Sequence, residues 1–278
     1  MRSGNRWMAG VLSLLLMTGA LVATASGQAI LVPNSVTGDV RAFDPVDGTP
    51  LGGFELDAAV VSRPMNLADG FDGTLMVSDW NGVRLLDGTG AYLGNVTRTP
   101  LDELQCCGLT VIGTKIVVAT TVDTKPFNRA GDLLPVTRGG NRDVMRVGDR
   151  ILTTQYDDGN VCVFERDGTL VAIYEGIRKP VQMAALKGAG EFRLAVVGHG
   201  IINGEELPCV YLVRADGSIT AFEIEGETAT GIHQLESGNF LISSTAGILC
   251  YGLDGRLIAT MVEGSGYSFF ERCENYTR

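Results

Sequence analysis

Six cations fall on four short segments of similar outline. These are Ser62-Arg63-Pro64, Thr97-Arg98-Thr99-Pro100, Thr137-Arg138-Gly139-Gly140-Asn141-Arg142 and Ile177-Arg178-Lys179-Pro180. A guanidinium forks onto a carboxylate or phosphate with two parallel N–H donors, so a row of arginines suits an anionic ligand. The same charges also suit solvated loops paired with nearby acids, where each pair is worth little. Two histidines, His199 and His233, are the side chains that ordinarily titrate near neutrality, and they are the catalytic candidates. No Gly-x-Ser-x-Gly, His-Glu-x-x-His or phosphate-loop pattern is present. Nor is there a CxxC pair or a Cys/His cluster of zinc spacing, so no structural zinc is expected.

The elements that must position these residues are strands. One pattern recurs: an apolar strand, a turn ending in Gly, then a second apolar strand. The turns end at Gly48, Gly90, Gly131, Gly168, Gly217 and Gly255, spaced by about forty residues, the period of a propeller blade. Val161-Cys162-Val163-Phe164, Asp167-Gly168 and Leu170 to Tyr174 make one copy. Ile248-Leu249-Cys250-Tyr251, Asp254-Gly255 and Leu257 to Met261 make another. Two earlier strands complete each unit. The first strands are Pro64 to Ala68, Cys107 to Val111, Asp143 to Val147, Pro180 to Ala184 and Gly231 to Leu235.

The expected fold is therefore all-β, a six-bladed β-propeller. Six is the count of the turns, with five or seven as alternatives, because the third and fifth units are irregular and Pro126 weakens a strand in the third. Ile30-Leu31-Val32 reads as a second strand, so Tyr267-Ser268-Phe269-Phe270 is expected to close the ring by completing the first blade.

Residues 1–25 read as a secretory signal peptide: Arg2 and Arg6, an apolar run from Val11 to Val22, then Ala23-Thr24-Ala25. Residues 26–278 form the single propeller domain, secreted or periplasmic, with no membrane span. The chain carries a formal net charge of −10, and loss of the leader removes two arginines and no acids. That balance argues against nucleic acid, whose phosphates need clustered Lys and Arg. Six cysteines in an exported chain allow disulfides. The adjacent Cys106 and Cys107 would form a strained ring or reach different partners, while Cys162, Cys209 and Cys250 suit core thiols.

In such a ring the loops from second to third strand and from blade to blade share one face. Length variation falls there, at Val122 to Lys125 and at Gly198 to Pro208, so the ligand site is expected on that face. The ligand-binding set is Arg63, Asn66, Arg98, Arg138, Arg142, Arg178 and Gln182. Asn66 and Gln182 come from predicted first strands beside the channel. The ends of the second strands, at Asn34, Asp79, Thr120, Gln155, Gly198 and Thr245, read as turn caps.

Arg63 to Asp79 (RPMNLADGFDGTLMVSD) resembles an NHL-type repeat: Pro, a short apolar strand, Asp-Gly, an apolar strand, then Asp. The outline is also similar to the six-bladed gluconolactonase/SMP-30 and strictosidine synthase-like proteins. Over the rest of the chain the likeness is a weak periodicity. The gluconolactonase resemblance implies a divalent cation, calcium or zinc, held by a Glu, two Asn and an Asp, with Asn66 as one ligand. Val144, Ile232 and Ser268 stand at the positions read as equivalent, and no channel Glu is located. Two readings follow. One is a binding module without a cofactor, presenting its loop-rich face to a small anionic molecule, a glycan or a protein. The other is a metal-dependent hydrolase, lactonase- or esterase-like, or a lyase, with its site at the mouth of the central channel.

Overall fold

A computed structural model describes residues 27–98, 105–135 and 141–277. The signal-peptide segment and Arg138 lie outside the described residues. Every regular element is a strand, and the strands make six antiparallel sheets arranged as a six-bladed β-propeller. From the axis outward, blade two is Asn66–Asp69, Leu75–Asp79, Gly82–Leu86 and Tyr92–Asn95. Blade four is Val144–Val147, Arg150–Gln155, Asn160–Glu165 and Leu170–Glu175. Blade five is Met183–Ala185, Phe192–Ile202, Glu205–Arg214 and Ile219–Glu223, and blade six is Ala229–Gln234, Phe240–Ser244, Gly247–Tyr251 and Leu257–Glu263.

Burial follows radius. Leu75–Asp79, Phe240–Ser244 and Gly247–Tyr251 are buried throughout, whereas the outer strand Leu170–Glu175 is mostly exposed. Middle strands are covered on both faces by neighbouring blades. Leu31, Val40 and Ala42 of blade one pack on Leu67, Leu75 and Val77 of blade two, for example. Burial of such a side chain stabilises by roughly 1.5–3 kcal/mol. The six turn glycines, in the order given above, have φ of 81, 91, 83, 89, 85 and 79°. That left-handed geometry closes each outer hairpin, and glycine adopts it without a Cβ clash.

Blade one is closed as expected in topology, with the order Glu271–Cys273, Ala29–Pro33, Asp39–Phe43, Pro50–Glu55. The closing ladder lies later than expected. Ala29, Ile30 and Leu31 pair with Cys273, Arg272 and Glu271. Tyr267 to Phe270 is buried and meets only the end of that strand, through the bridge from Asn34 to Tyr267 and the bond from Ser268 N–H to Pro33 O (2.9 Å). Beyond it Phe269 N–H donates to Met65 O (2.9 Å), and both backbone groups of Phe270 are taken by Gln182.

Three further corrections emerge. Blade three has three strands, Cys106–Ile112, Lys115–Thr120 and Thr124–Asn128. Among the described residues its outer position holds the bridge from Phe127 to Leu133 and the bond from Leu134 N–H to Pro126 O. Gly198 to Pro208 is not a loop but the extension of a long hairpin, with His199 paired to Pro208. No disulfide forms: all six cysteines are free and buried. Cys106, Cys209, Cys250 and Cys273 are each packed in a different apolar cluster. Among the described residues no helix is long and apolar enough to cross a membrane.

Candidate functional site

The channel is built by a repeated bond between blades. Ser78, Thr154 and Ser243, on the second strands of blades two, four and six, each donate a hydroxyl to the next blade. The acceptors are Cys107 O (2.7 Å), Val181 O (3.2 Å) and Ser268 O (2.7 Å). The first two of these hydroxyls also accept from Asn66 N–H (3.2 Å) and Asp143 N–H (2.8 Å), and Ser243 stands opposite Gly231. Asn66, Asp143 and Gly231 therefore share one level of the ring. Gly108, Gln182 and Phe269, each following one of the accepting residues, complete it.

This level is a polar belt whose side chains are bound to backbone. Gln182 reaches from blade five to blades six and one. Its Oε1 accepts from Ile232 N–H (2.9 Å) and Phe270 N–H (3.0 Å), and its Nε2 donates to Phe270 O (2.7 Å). Asp143 accepts from Val144 N–H (2.8 Å) and Met183 N–H (2.9 Å). Burial still pushes its carboxyl up to about 7, because those two bonds offset only part of the desolvation. The two glycines make room: a Cβ on Gly108 would lie 2.7 Å from Asp143 Oδ1, and one on Gly231 would lie 2.9 Å from Gln182 Oε1. Asn66 Nδ2 donates to Leu109 O (3.4 Å), while Asn66 Oδ1 is buried without a partner.

The belt revises the sequence alignment by one position. Asn66 is matched by Asp143, Gly231 and Phe269, not by Val144, Ile232 and Ser268. The revised set also fails to suit a divalent cation. It offers one carboxylate, already accepting two N–H groups, the Gln182 amide, whose oxygen already accepts two N–H groups, and a single open oxygen, Asn66 Oδ1. Among the described residues no three His, Cys, Asp or Glu side chains converge as metal ligands.

On the loop face the arginines do not form one half-ring. Arg98 pairs with Asp132 (3.3 Å) of the outer turn of blade three, both well exposed. Arg63 lies over Trp80, 4.0 Å from the ring centre. Arg142 lies over Tyr156 at 4.6 Å, with Nη1 on Cys107 Sγ (3.9 Å) and a buried Nε that has no acceptor. Tyr156 is fixed in turn by its N–H donating to Asn141 Oδ1 (2.7 Å). Burial pushes the Cys107 thiol up and Arg142 draws it only partly back.

Beside this pair a second group gathers around one acid. Glu206 meets Lys179 Nζ at 2.6 Å, Arg178 Nη2 at 3.6 Å and His199 Nδ1 at 3.7 Å. Lys179 and Arg178 hold the Glu206 carboxyl below its usual range, with Lys179 foremost. Burial, then Lys179, lowers His199, whose imidazole is neutral at pH 7. Lys179 is also within electrostatic reach of Tyr156. The Tyr211 hydroxyl ties the corner by donating to His199 O and accepting from Arg178 N–H. Arg63, Gln105 and Lys179, at matched corners where three blades begin, have φ of 54, 44 and 45°. Left-handed backbone in non-glycine residues is costly and gathers at sites that use it. Gln105 and Tyr156 carried no signal in the sequence beyond their types.

Three of the six expected turn caps form as read, whereas Gly198 lies inside the paired hairpin and Thr245 Oγ1 accepts instead from Glu227 N–H and Thr228 N–H. Asn34 Oδ1 accepts from Val36 N–H and Thr37 N–H, Asp79 Oδ1 from Asn81 N–H, and Thr120 Oγ1 from Val122 N–H and Asp123 N–H.

Below the belt the channel widens into a cavity of about 560 Å³. It is lined by the late residues of the innermost strands of blades four, five, six and one, down to Lys187 and Glu236 at the first hairpin turns. His233 and Glu271 face into it.

These features define a six-bladed propeller with two chemically distinct channel ends. Solved structures of the same architecture confirm that class. One, a protein of unknown function from Bacteroides caccae, is 13% identical over 89% of this chain and 98% of its own, with a TM-score of 0.65. A chain in a nidogen/laminin complex is 13% identical over 88% and 97%, with a TM-score of 0.66. Streptogramin B lyase is 14% identical over 87% and 82%, with a TM-score of 0.58. No family model and no curated protein matches the sequence.

Proposed function

We propose that this chain is an exported, secreted or periplasmic binding module. Its loop-rich face takes a ligand through a carboxylate or phosphate group, borne by a small molecule, a glycan or a protein surface. The observation that carries the reading is Arg142. Its guanidinium is laid flat on Tyr156, meets no carboxylate among the described residues, and keeps a buried N–H unsatisfied. An unsatisfied buried donor costs about 1–3 kcal/mol, and an arriving anion that repositions the fork recovers it. Lys179 and Arg178 stand beside it with one acid between them. A protein surface fits the same face: a propeller of this shape occurs in a nidogen/laminin complex.

Citrate titrated into the purified protein tests this. Arg142→Ala is expected to weaken citrate about tenfold, and the loss is expected to shrink at high salt. Equal binding by wild type and Arg142→Ala removes Arg142 from the site. Amino-terminal sequencing of the protein recovered after export is expected to begin at Ser26.

A further inference from the structure

The opposite end of the channel carries a second set of unused groups. Glu271 and His233 lie two residues beyond the belt, on the adjacent innermost strands of blades one and six. Both project into the cavity below Gln182 and Asp143. Among the described residues neither side chain has a hydrogen-bond or ion-pair partner. Both are half-buried and turned to the open chamber, where a ligand can reach them, unlike the buried belt residues one step above.

Charge changes sign with depth. Inside stand Glu271 and the belt residue Asp143. At the mouth stand Arg146 and Lys187, neither paired with a carboxylate, together with Arg272, which is neutralised by Glu236 (2.7 Å). Arg146 Nε donates only to Gly148 O (2.9 Å). Lys187 lies three strand positions past the level of Glu271, roughly 10 Å along the axis. A simple anion would meet Glu271 inside, and a simple cation would have to pass the basic mouth. A molecule with an ammonium at one end and a carboxylate at the other satisfies both.

We propose that this chamber is a binding site for a small zwitterion, an ω-amino acid or short peptide. Its ammonium would seat on Glu271 and its carboxylate on Lys187 and Arg146. Met145 and Ala184 border the space between the charges.

Proton release accompanies the binding. Burial, then Asp143 and Asp69, holds the Glu271 carboxyl well above its usual range, while burial and the cations Arg272 and Lys187 push His233 down to about 4. An entering ammonium favours the carboxylate form of Glu271, so binding releases protons wherever that carboxyl is part-protonated.

The test uses 6-aminohexanoate, hexylamine and hexanoate, titrated calorimetrically in buffers of different ionisation enthalpy. The expected result is saturable 6-aminohexanoate binding with proton release. Each single-charge analogue is expected to bind about tenfold or more weaker. Glu271→Gln is expected to lose about tenfold in affinity together with the proton release. The exposed variant Lys187→Glu, which does not touch the core, is expected to lose 6-aminohexanoate binding and to gain hexylamine binding. The proposal is overturned by absent 6-aminohexanoate binding, by hexanoate binding as well as 6-aminohexanoate, or by unchanged affinity in both variants. None of these outcomes bears on Arg142, which lies across the belt on the other face.

Discussion

The belt and the chamber are adjacent levels of one channel, and they treat polar side chains in opposite ways. Gln182 and Asp143 give their polar atoms to the backbone of other blades. Glu271 and His233 give theirs to nothing among the described residues. A bound polar group holds the ring together; an unbound one is free to meet a ligand. The two levels differ in exposure as well as in bonding, because Gln182 and Asp143 are buried whereas His233 and Glu271 are half-buried and line the open chamber.

Four experiments probe that contrast. The largest effect is expected from Gln182→Leu, which keeps the volume and strips partners from Ile232 N–H and both backbone groups of Phe270. A loss of roughly 3 kcal/mol or more is expected in urea unfolding. A variant as stable as wild type would remove the belt as a structural device.

Next comes Thr154→Val, which orphans Val181 O and Asp143 N–H at the blade four–five seam. About 1–2 kcal/mol is expected in the same assay.

A smaller effect is the pH dependence of the carboxyls. Asp143 titrates at about 7 in the fold against 3.8 in the unfolded chain. The native state therefore holds a proton that the unfolded chain releases across that interval. Stability is expected to fall as pH rises from about 4 to about 7, and Glu271, shifted in the same direction, adds to the fall. Glu271→Gln removes its share, so this variant is expected to match or exceed wild-type stability above pH 7. Destabilisation there would move Glu271 into the class of Gln182.

The smallest effect is expected from reductant. With all six thiols free and buried, dithiothreitol is expected to leave the melting temperature unchanged, and a thiol reagent is expected to count six groups only after unfolding.

The architecture was legible because its signals are local. Asp-Gly turns, second strands such as Phe240–Ser244, and the spare first strand are each contained in a few residues. Pro126, with no N–H to donate, marked the blade that lacks its outer strand. The channel was less legible because it is assembled across blades. A strand's side chains alternate, so the shift of one residue that matched Asn66 to Val144 exchanged a buried belt carboxylate for an apolar neighbour. The closing strand was read at Tyr267 to Phe270, which meets only the end of the first-blade strand at Pro33 and Asn34, while the ladder runs through Glu271–Cys273. Glu271, His233 and Lys187 come from segments scattered over 85 residues, and no spacing rule joins them. The hairpin carrying His199 was read as a loop because Gly198, Gly200 and Pro208 resemble turn residues, yet ten paired positions run through that strand pair.

The closing strand has a consequence for biogenesis. Glu271 sits on the segment that seals blade one, so it enters the lumen only when the two ends of the circle meet. A clipped polypeptide with five finished blades would hold His233 and Lys187 without Glu271 opposite them. Circularisation and maturation of the chamber are thus a single event.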